Sequence, residues 1–190
     1  MKKFLISIFS VGLFLTAPLA FGQKMELNVS KSSIVWTGKK IGGSHTGNVQ
    51  FHSGYLTKSG DRFVKGEFVV DMTSLSNTDL EDEGLRAKLI GHLKSDDFFS
   101  VEKYPTATLV IKNGVKVNDS TWKFEGTLTI KGISNPVSFE ATADGQVFKG
   151  VLTVDRSQFD VRYGSKSFFD NLGDNLIYDD FDLAFEVSFE

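Results

Sequence analysis

The residues of this 190-residue chain with the most obvious capacity for chemistry are three histidines, His45, His52 and His92, and an acidic stretch holding Asp170, Asp174, Asp179, Asp180 and Asp182. Three imidazoles match a zinc ligand count, but His45 and His52 fall on opposite faces of one strand pattern and His92 falls in a helical pattern, so no shared metal is predicted. The aspartates lack the ordered oxygen spacing of a calcium loop and read as a solvated loop, with calcium left open. Nothing places an acid and a base across a cleft, and no Ser-His-Asp order or phosphate loop is present. The chain has no cysteine, which excludes a thiol nucleophile, a cysteine metal site, a disulfide framework and a lipidated N-terminal cysteine. No catalytic residue and no cofactor is therefore predicted, and the chain reads as a non-enzyme.

The elements that would position any site begin after an export signal. Lys2 and Lys3 precede an apolar run from Phe4 to Leu15, too short to span a bilayer comfortably, and small residues at Ala20 and Gly22 fit cleavage after Gly22. Residues 1–22 are thus expected to be a signal peptide and 23–190 a single soluble domain in the periplasm, with the extracellular space as second choice. No later segment is long and apolar enough to be an integral membrane span. Without residues 1–22 the charge is 19 basic against 24 acidic residues, which leaves no electrostatic footprint for nucleic acid or anionic membranes. Fourteen phenylalanines remain, and a ring without a polar tip suits an unusually dry interior.

Period-2 alternation predicts eight strands, near 33–39, 44–52, 62–71, 106–112, 121–131, 136–143, 146–155 and 181–190, with turn signals at Gly42-Gly43, Ser59-Gly60-Asp61, Asn113-Gly114, Asn118-Asp119-Ser120, Ser134-Asn135-Pro136 and Asp144-Gly145. Most links have hairpin length, so neighbours should be antiparallel. One face of each strand from the second onward is apolar: Val49 and Phe51, Val64 and Phe68, Leu109 and Ile111, Phe124 and Leu128, then Phe139, then Phe148 and Leu152, then Phe185. Such an all-β set closes into a barrel or folds into a sandwich, and a barrel of about eight strands holds one small ligand and leaves no open edge. Gly47, Gly66, Gly126 and Gly150 inside strands read as bends that help closure.

One helix is expected between the third and fourth strands, over about 79–94, from a capping box of Thr78 and Glu81 and an apolar stripe of Leu85, Leu89, Ile90 and Leu93. In an alternating meander this helix and the long link from Arg156 to Asp180 share one rim, while short hairpins close the other. The mouth should therefore carry the helix, Phe98, Phe99 and the segment 157–180. His45 and Arg156 have inward parity at that rim; either they meet a polar head group, or Arg156 pairs with a rim carboxylate or caps a turn.

At this point the sequence resembles a known family. The run from His92-Leu93-Lys94-Ser95 through Asp97-Phe98-Phe99 to Lys103-Tyr104-Pro105-Thr106-Ala107, the segment Gly126-Thr127-Leu128-Thr129-Ile130-Lys131-Gly132 followed by Pro136-Val137, and Arg156-Ser157-Gln158-Phe159 are similar to the ordered motifs of YceI-like, polyisoprenoid-binding periplasmic proteins. The resemblance implies an eight-stranded, antiparallel, lipocalin-like β-barrel that holds a long isoprenoid or isoprenoid-quinone-like amphiphile for transport, storage or stress protection. The apolar faces above would form the ligand wall, and His45, Phe98, Phe99 and Arg156 the mouth. The stretch 170–182 departs from the shorter family pattern. A solid-cored structural or stress-response barrel, an enzyme acting on a lipid with His45 as base, and a homodimer stay open as alternatives.

Overall fold

The computed structural model describes residues 22–190, so the expected signal peptide lies, Gly22 aside, outside the described residues. The strands are β1 (Gln23–Glu26), β2 (Ser33–Lys40), β3 (Gly43–Ser59), β4 (Arg62–Asp71), β5 (Thr106–Lys116), β6 (Thr121–Ile130), β7 (Ile133–Asp144), β8 (Val147–Asp155) and β9 (Ile177–Ser188), with one α-helix, α1 (Glu83–Lys94). All ladders are antiparallel, and the pairing of β3 with both β2 and β4 closes β2 to β9 into an eight-stranded barrel. Closure decides between the barrel and the sandwich that alternation alone left open. No helix among the described residues is long and apolar enough to cross a membrane.

Closure rests on β3. Its first half pairs with β2, Ile34 facing Val49, and its second half pairs with β4, Gln50 facing Asp71. Both remaining half-edges are also covered. β1 continues the line of β2, with Glu26 opposite Tyr55, and the chain after β4 runs on beside β3 through bonds such as Ser76 N–H to Asn48 O and Thr78 N–H to Thr46 O. The backbone groups of this strand are thus paired on both sides, as a buried sheet requires. β1 was not anticipated. It is short, largely exposed and not apolar, so it carries no alternation signal.

Several expectations need correction, and bulges explain most of them. Alternation points Val64 to the interior, yet it is 47% exposed while Phe63 is buried. The β3–β4 ladder skips Val64, since Thr57 faces Lys65 and Lys58 faces Phe63, and one extra residue reverses the parity of a strand end. Asn113-Gly114 is no hairpin turn but part of β5, beyond another register shift after Ile111. Gly114 is needed there for close approach, because a Cβ at that position would lie 2.7 Å from the Phe124 ring. The hairpin falls at Val117–Ser120, on the expected Asn118-Asp119-Ser120 signal, where Asn118 Oδ1 accepts from the N–H groups of Ser120 and Thr121.

The helix follows β4 instead of the third strand, because β1 adds one to the count, and it starts at Glu83. Asp82 caps it by accepting from Leu85 N–H, while Thr78, expected to cap, lies in the segment bonded to β3. Leu93 is buried, but Leu85 of the expected apolar stripe is exposed. β9 begins at Ile177, so part of the acidic 170–182 stretch is strand. Asp182 in it accepts from Lys39 and Thr153.

The two long connections, 72–105 and 156–176, leave from the same rim, joined there by the tight turns after β2 and β6. The opposite rim holds short turns and the N-terminal segment. Phe63 packs on Trp122 at 4.6 Å and on Phe148 at 5.6 Å between ring centroids, and Phe148 meets Phe189 at 5.7 Å, forming an aromatic floor. Phe63→Ala should destabilise the fold by about 3–5 kcal/mol in urea unfolding, whereas Val64→Ser should stay within about 0.5 kcal/mol. A larger effect at Val64 than at Phe63 would contradict the bulge assignment.

Candidate functional site

Above the aromatic floor the inward faces leave a cavity of about 180 Å³ open to the centre of a water molecule. Its wall is almost entirely carbon, and an apolar enclosure offers water no partners. Phe124 stacks with Phe139 at 5.6 Å, and Phe139 meets Phe185 edge-on at 5.6 Å, so the middle of the barrel is lined by rings from three strands. Val49, Phe51, Phe68, Leu109, Ile111, Phe124, Leu128, Phe139, Phe148, Leu152 and Phe185 all line the cavity as predicted; Val64 does not.

The mouth is roofed from two directions. Leu93 of α1 and Phe98 and Phe99 of the loop after it reach over the cavity, as do Met72 and Leu75 from the segment after β4. A chain of rings then joins the two long connections: Tyr163 to His92 at 4.3 Å, His92 to Phe98 at 5.7 Å, Phe98 to Phe99 at 5.0 Å, and Phe99 to Phe181 of β9 at 6.3 Å. The Phe98 loop is held by its own backbone, with Phe99 N–H donating to Leu93 O, Ser100 N–H to Ser95 O and Val101 N–H to Lys94 O. Phe98 and Phe99 thus sit where the sequence placed them.

Arg156 is 2% exposed and its guanidinium is directed at the chain itself. Nε donates to Tyr178 O, one terminal nitrogen to Val161 O and Tyr163 O, and the other to Ile177 O, with Asp179 Oδ1 at 3.5 Å. Four hydrogen bonds to backbone oxygens thus occupy the fork, and its remaining side faces Asp179, whose Oδ1 is buried without a hydrogen bond among the described residues, so the guanidinium is turned away from a head group. Burial pushes the guanidinium pKa down, and Asp179 and Asp155 pull it back up. It stays cationic at neutral pH. Its role is to pin the start and end of the 157–177 connection to one point, and Phe98 covers it with the ring centroid 5.4 Å from the guanidinium carbon.

His45 reaches the mouth rim but not the cavity wall. It is half-buried, its Nδ1 2.9 Å from Asp79 Oδ2, in the strand position opposite Gly38. The residues that sequence reasoning missed are of two kinds. Ile34 and Trp36 line the cavity by plain alternation in β2, a signal present in the sequence. Phe181, first residue of the expected last strand, shares the inward parity of Phe185, whereas Leu56 and Leu75 line the cavity from beyond a bulge and from a loop, where parity gives no guide. No cluster of three or more potential metal ligands occurs among the described residues.

Three carboxylates fasten the mouth. Asp71 at the end of β4 accepts from the N–H and hydroxyl of Thr73, and Asp155 at the end of β8 accepts likewise from Ser157. Asp79 accepts from Thr46 N–H and pairs with His45. The Thr73 hydroxyl is the main reason that Asp71 lies below the ordinary carboxylate range. At Asp79 and Asp155 burial opposes ionisation most strongly, but the hydrogen bonds together outweigh it, and both are also lowered.

Comparison with known proteins matches this architecture. A family model described as YceI-like domain matches residues 25–189. Among solved structures, BcnA of Burkholderia cenocepacia superposes with a TM-score of 0.68 at 23% identity, covering 85% of this chain and 98% of that one. A polyisoprenoid binding domain from Saccharophagus degradans, implicated in plant cell wall breakdown, gives 0.59 at 15% identity over 87% and 97%. Among curated relatives, a UPF0312 protein of Pseudomonas putida is 40% identical over 55 residues, 29% of this chain and 29% of that protein's own length.

A carboxyl held below its ordinary pKa stabilises the folded state above about pH 4 and loses that contribution as the pH falls from there through the depressed folded value. Asp155→Asn should therefore melt below the wild type at about pH 6, and the gap between the two melting temperatures should narrow as the pH falls below about 4. A constant gap across that range would show that the Asp155 charge does not hold the mouth.

Proposed function

This chain belongs to the YceI-like family, and on that premise we propose that it is a binding protein whose barrel takes up the hydrocarbon tail of an isoprenoid-type lipid. The observation that carries the reading is the unfilled, almost wholly carbon-lined cavity between the aromatic floor and the roof of Phe98 and Phe99. Burial contributes about 0.8 kcal/mol per methylene-sized group, so each five-carbon unit of an isoprenoid adds roughly 3–4 kcal/mol before ordering is subtracted. A few units suffice for tight binding without any polar contact. With Arg156 occupied by carbonyls and Asp179, a polar head has no partner in the interior and stays at the rim, where the His45–Asp79 pair is its candidate contact.

The same chemistry argues for binding over catalysis. The cavity lining holds no carboxylate, imidazole or amine, and its one cation, Arg156, is bound to backbone oxygens. The Lys2-Lys3 start, the apolar run to Leu15 and the small residues before position 23 support a reading of export to the periplasm, with the extracellular space as second choice. Transport, storage or protection of the lipid are all consistent with a roofed barrel.

Mass spectrometry of an organic extract from freshly purified protein should find an isoprenoid-type lipid, and delipidated protein should retain added farnesol. Ala107→Phe, which places a ring on the cavity wall, should fold and weaken farnesol retention by at least about tenfold. Protein that is empty from several expression conditions and retains no offered isoprenoid would contradict the reading.

A further inference from the structure

The way into the cavity is marked by one missing side chain. In the row of cross-strand partners nearest the mouth, Val154 of β8 faces Phe181 of β9, Phe181 faces Gly38 of β2, and Gly38 faces His45 of β3. Partners in an antiparallel ladder point to the same side of the sheet, so this row looks inward. Val154 is buried and Phe181 lines the cavity, but at Gly38 the row has no side chain.

Crowding accounts for the glycines deeper in the strands but not for this one. A Cβ on Gly66 would lie 2.7 Å from Leu56 and one on Gly150 2.5 Å from Glu140 O, so those positions admit nothing larger. A Cβ on Gly38, which lines the cavity, would meet no atom within 4 Å. The β2–β9 ladder also slips at this point: Gly38 faces Phe181, whereas Lys40 faces Ile177, so Tyr178 to Asp180 bow away from β2. Ile177, Tyr178, Phe181 and Phe99 line the cavity around the gap, and the exposed side chains of Ile41 and Tyr178 supply an apolar lip outside it.

We propose that the notch at Gly38, between Phe181 and His45, is the portal through which the lipid tail enters and leaves the barrel, and that the absence of a side chain at position 38 sets its exchange rate. The proposal rests on the reading that the cavity binds a lipid. A tail passing there leaves its polar end beside the His45–Asp79 pair, and the roof of Phe98 and Phe99 need not open.

The test measures uptake and chase-release of tritiated farnesol by delipidated wild type, Gly38→Phe, Gly38→Ala and, as a control on the opposite rim, Val117→Phe. Gly38→Phe should slow both uptake and release by at least about tenfold, Gly38→Ala should slow them by about twofold, and Val117→Phe should match the wild type. Wild-type rates in Gly38→Phe overturn the portal while leaving lipid binding intact; a wild type that retains no farnesol overturns both. Failure of Gly38→Phe to fold also counts against the portal, because the ring must find open space there. Gly38→Ala, with one methyl in that space, still gives the rate comparison.

Discussion

A sheet of eight strands bent into a barrel must satisfy every backbone group along its seam, and here one seventeen-residue strand does so. β3 is bonded to β2 and β1 on one edge and to β4 and the chain after it on the other. The interior that results is fixed by strand geometry and not by the volume of the side chains pointing into it. Phenylalanine and tryptophan fill the end where the hairpins lie. Toward the other end the strands enclose more room than their residues occupy, and that surplus is the cavity.

The polar groups near the cavity are committed to holding its rim. Arg156 binds four carbonyl oxygens, Asp71 and Asp155 tie down the chain as it leaves β4 and β8, and Asp79 joins the segment after β4 to β3. A buried guanidinium deprived of those partners is strongly unfavourable, so the 157–177 connection is rigidly specified despite its length. The outcome is a sharp division between a wet, charged rim and a carbon-lined interior. A ligand that fits this division has a long apolar part and a polar end that never needs to be desolvated.

Alternation in the sequence is enough to read eleven of the cavity-lining residues, because inward and outward faces differ so plainly in strands such as Trp122–Ile130. The reading fails where the ladder gains a residue. Val64 and the Asn113-Gly114 pair carry ordinary local signals, and only the partner strand shows that a bulge has shifted the phase. Thr78 and Glu81 form a good capping box locally, but the backbone at Thr78 is bonded to β3, so the helix starts at Asp82. The aromatic chain from Tyr163 through His92 to Phe181 joins residues far apart in sequence, and no local pattern foretells it. Gly38 is the converse case: glycine in a strand is a weak signal, and its meaning comes from the empty space beside it.

The central claim is that the unfilled part of the barrel is a lipid site and not a packing defect. A crystal structure of the delipidated protein grown with farnesol tests it most directly. A lipid site should show continuous density from the ring of Phe124, Phe139 and Phe185 to the notch at Gly38, with the hydroxyl near His45 and the wall side chains unmoved. An interior closed by rearranged side chains, or an empty cavity at saturating farnesol, would contradict it.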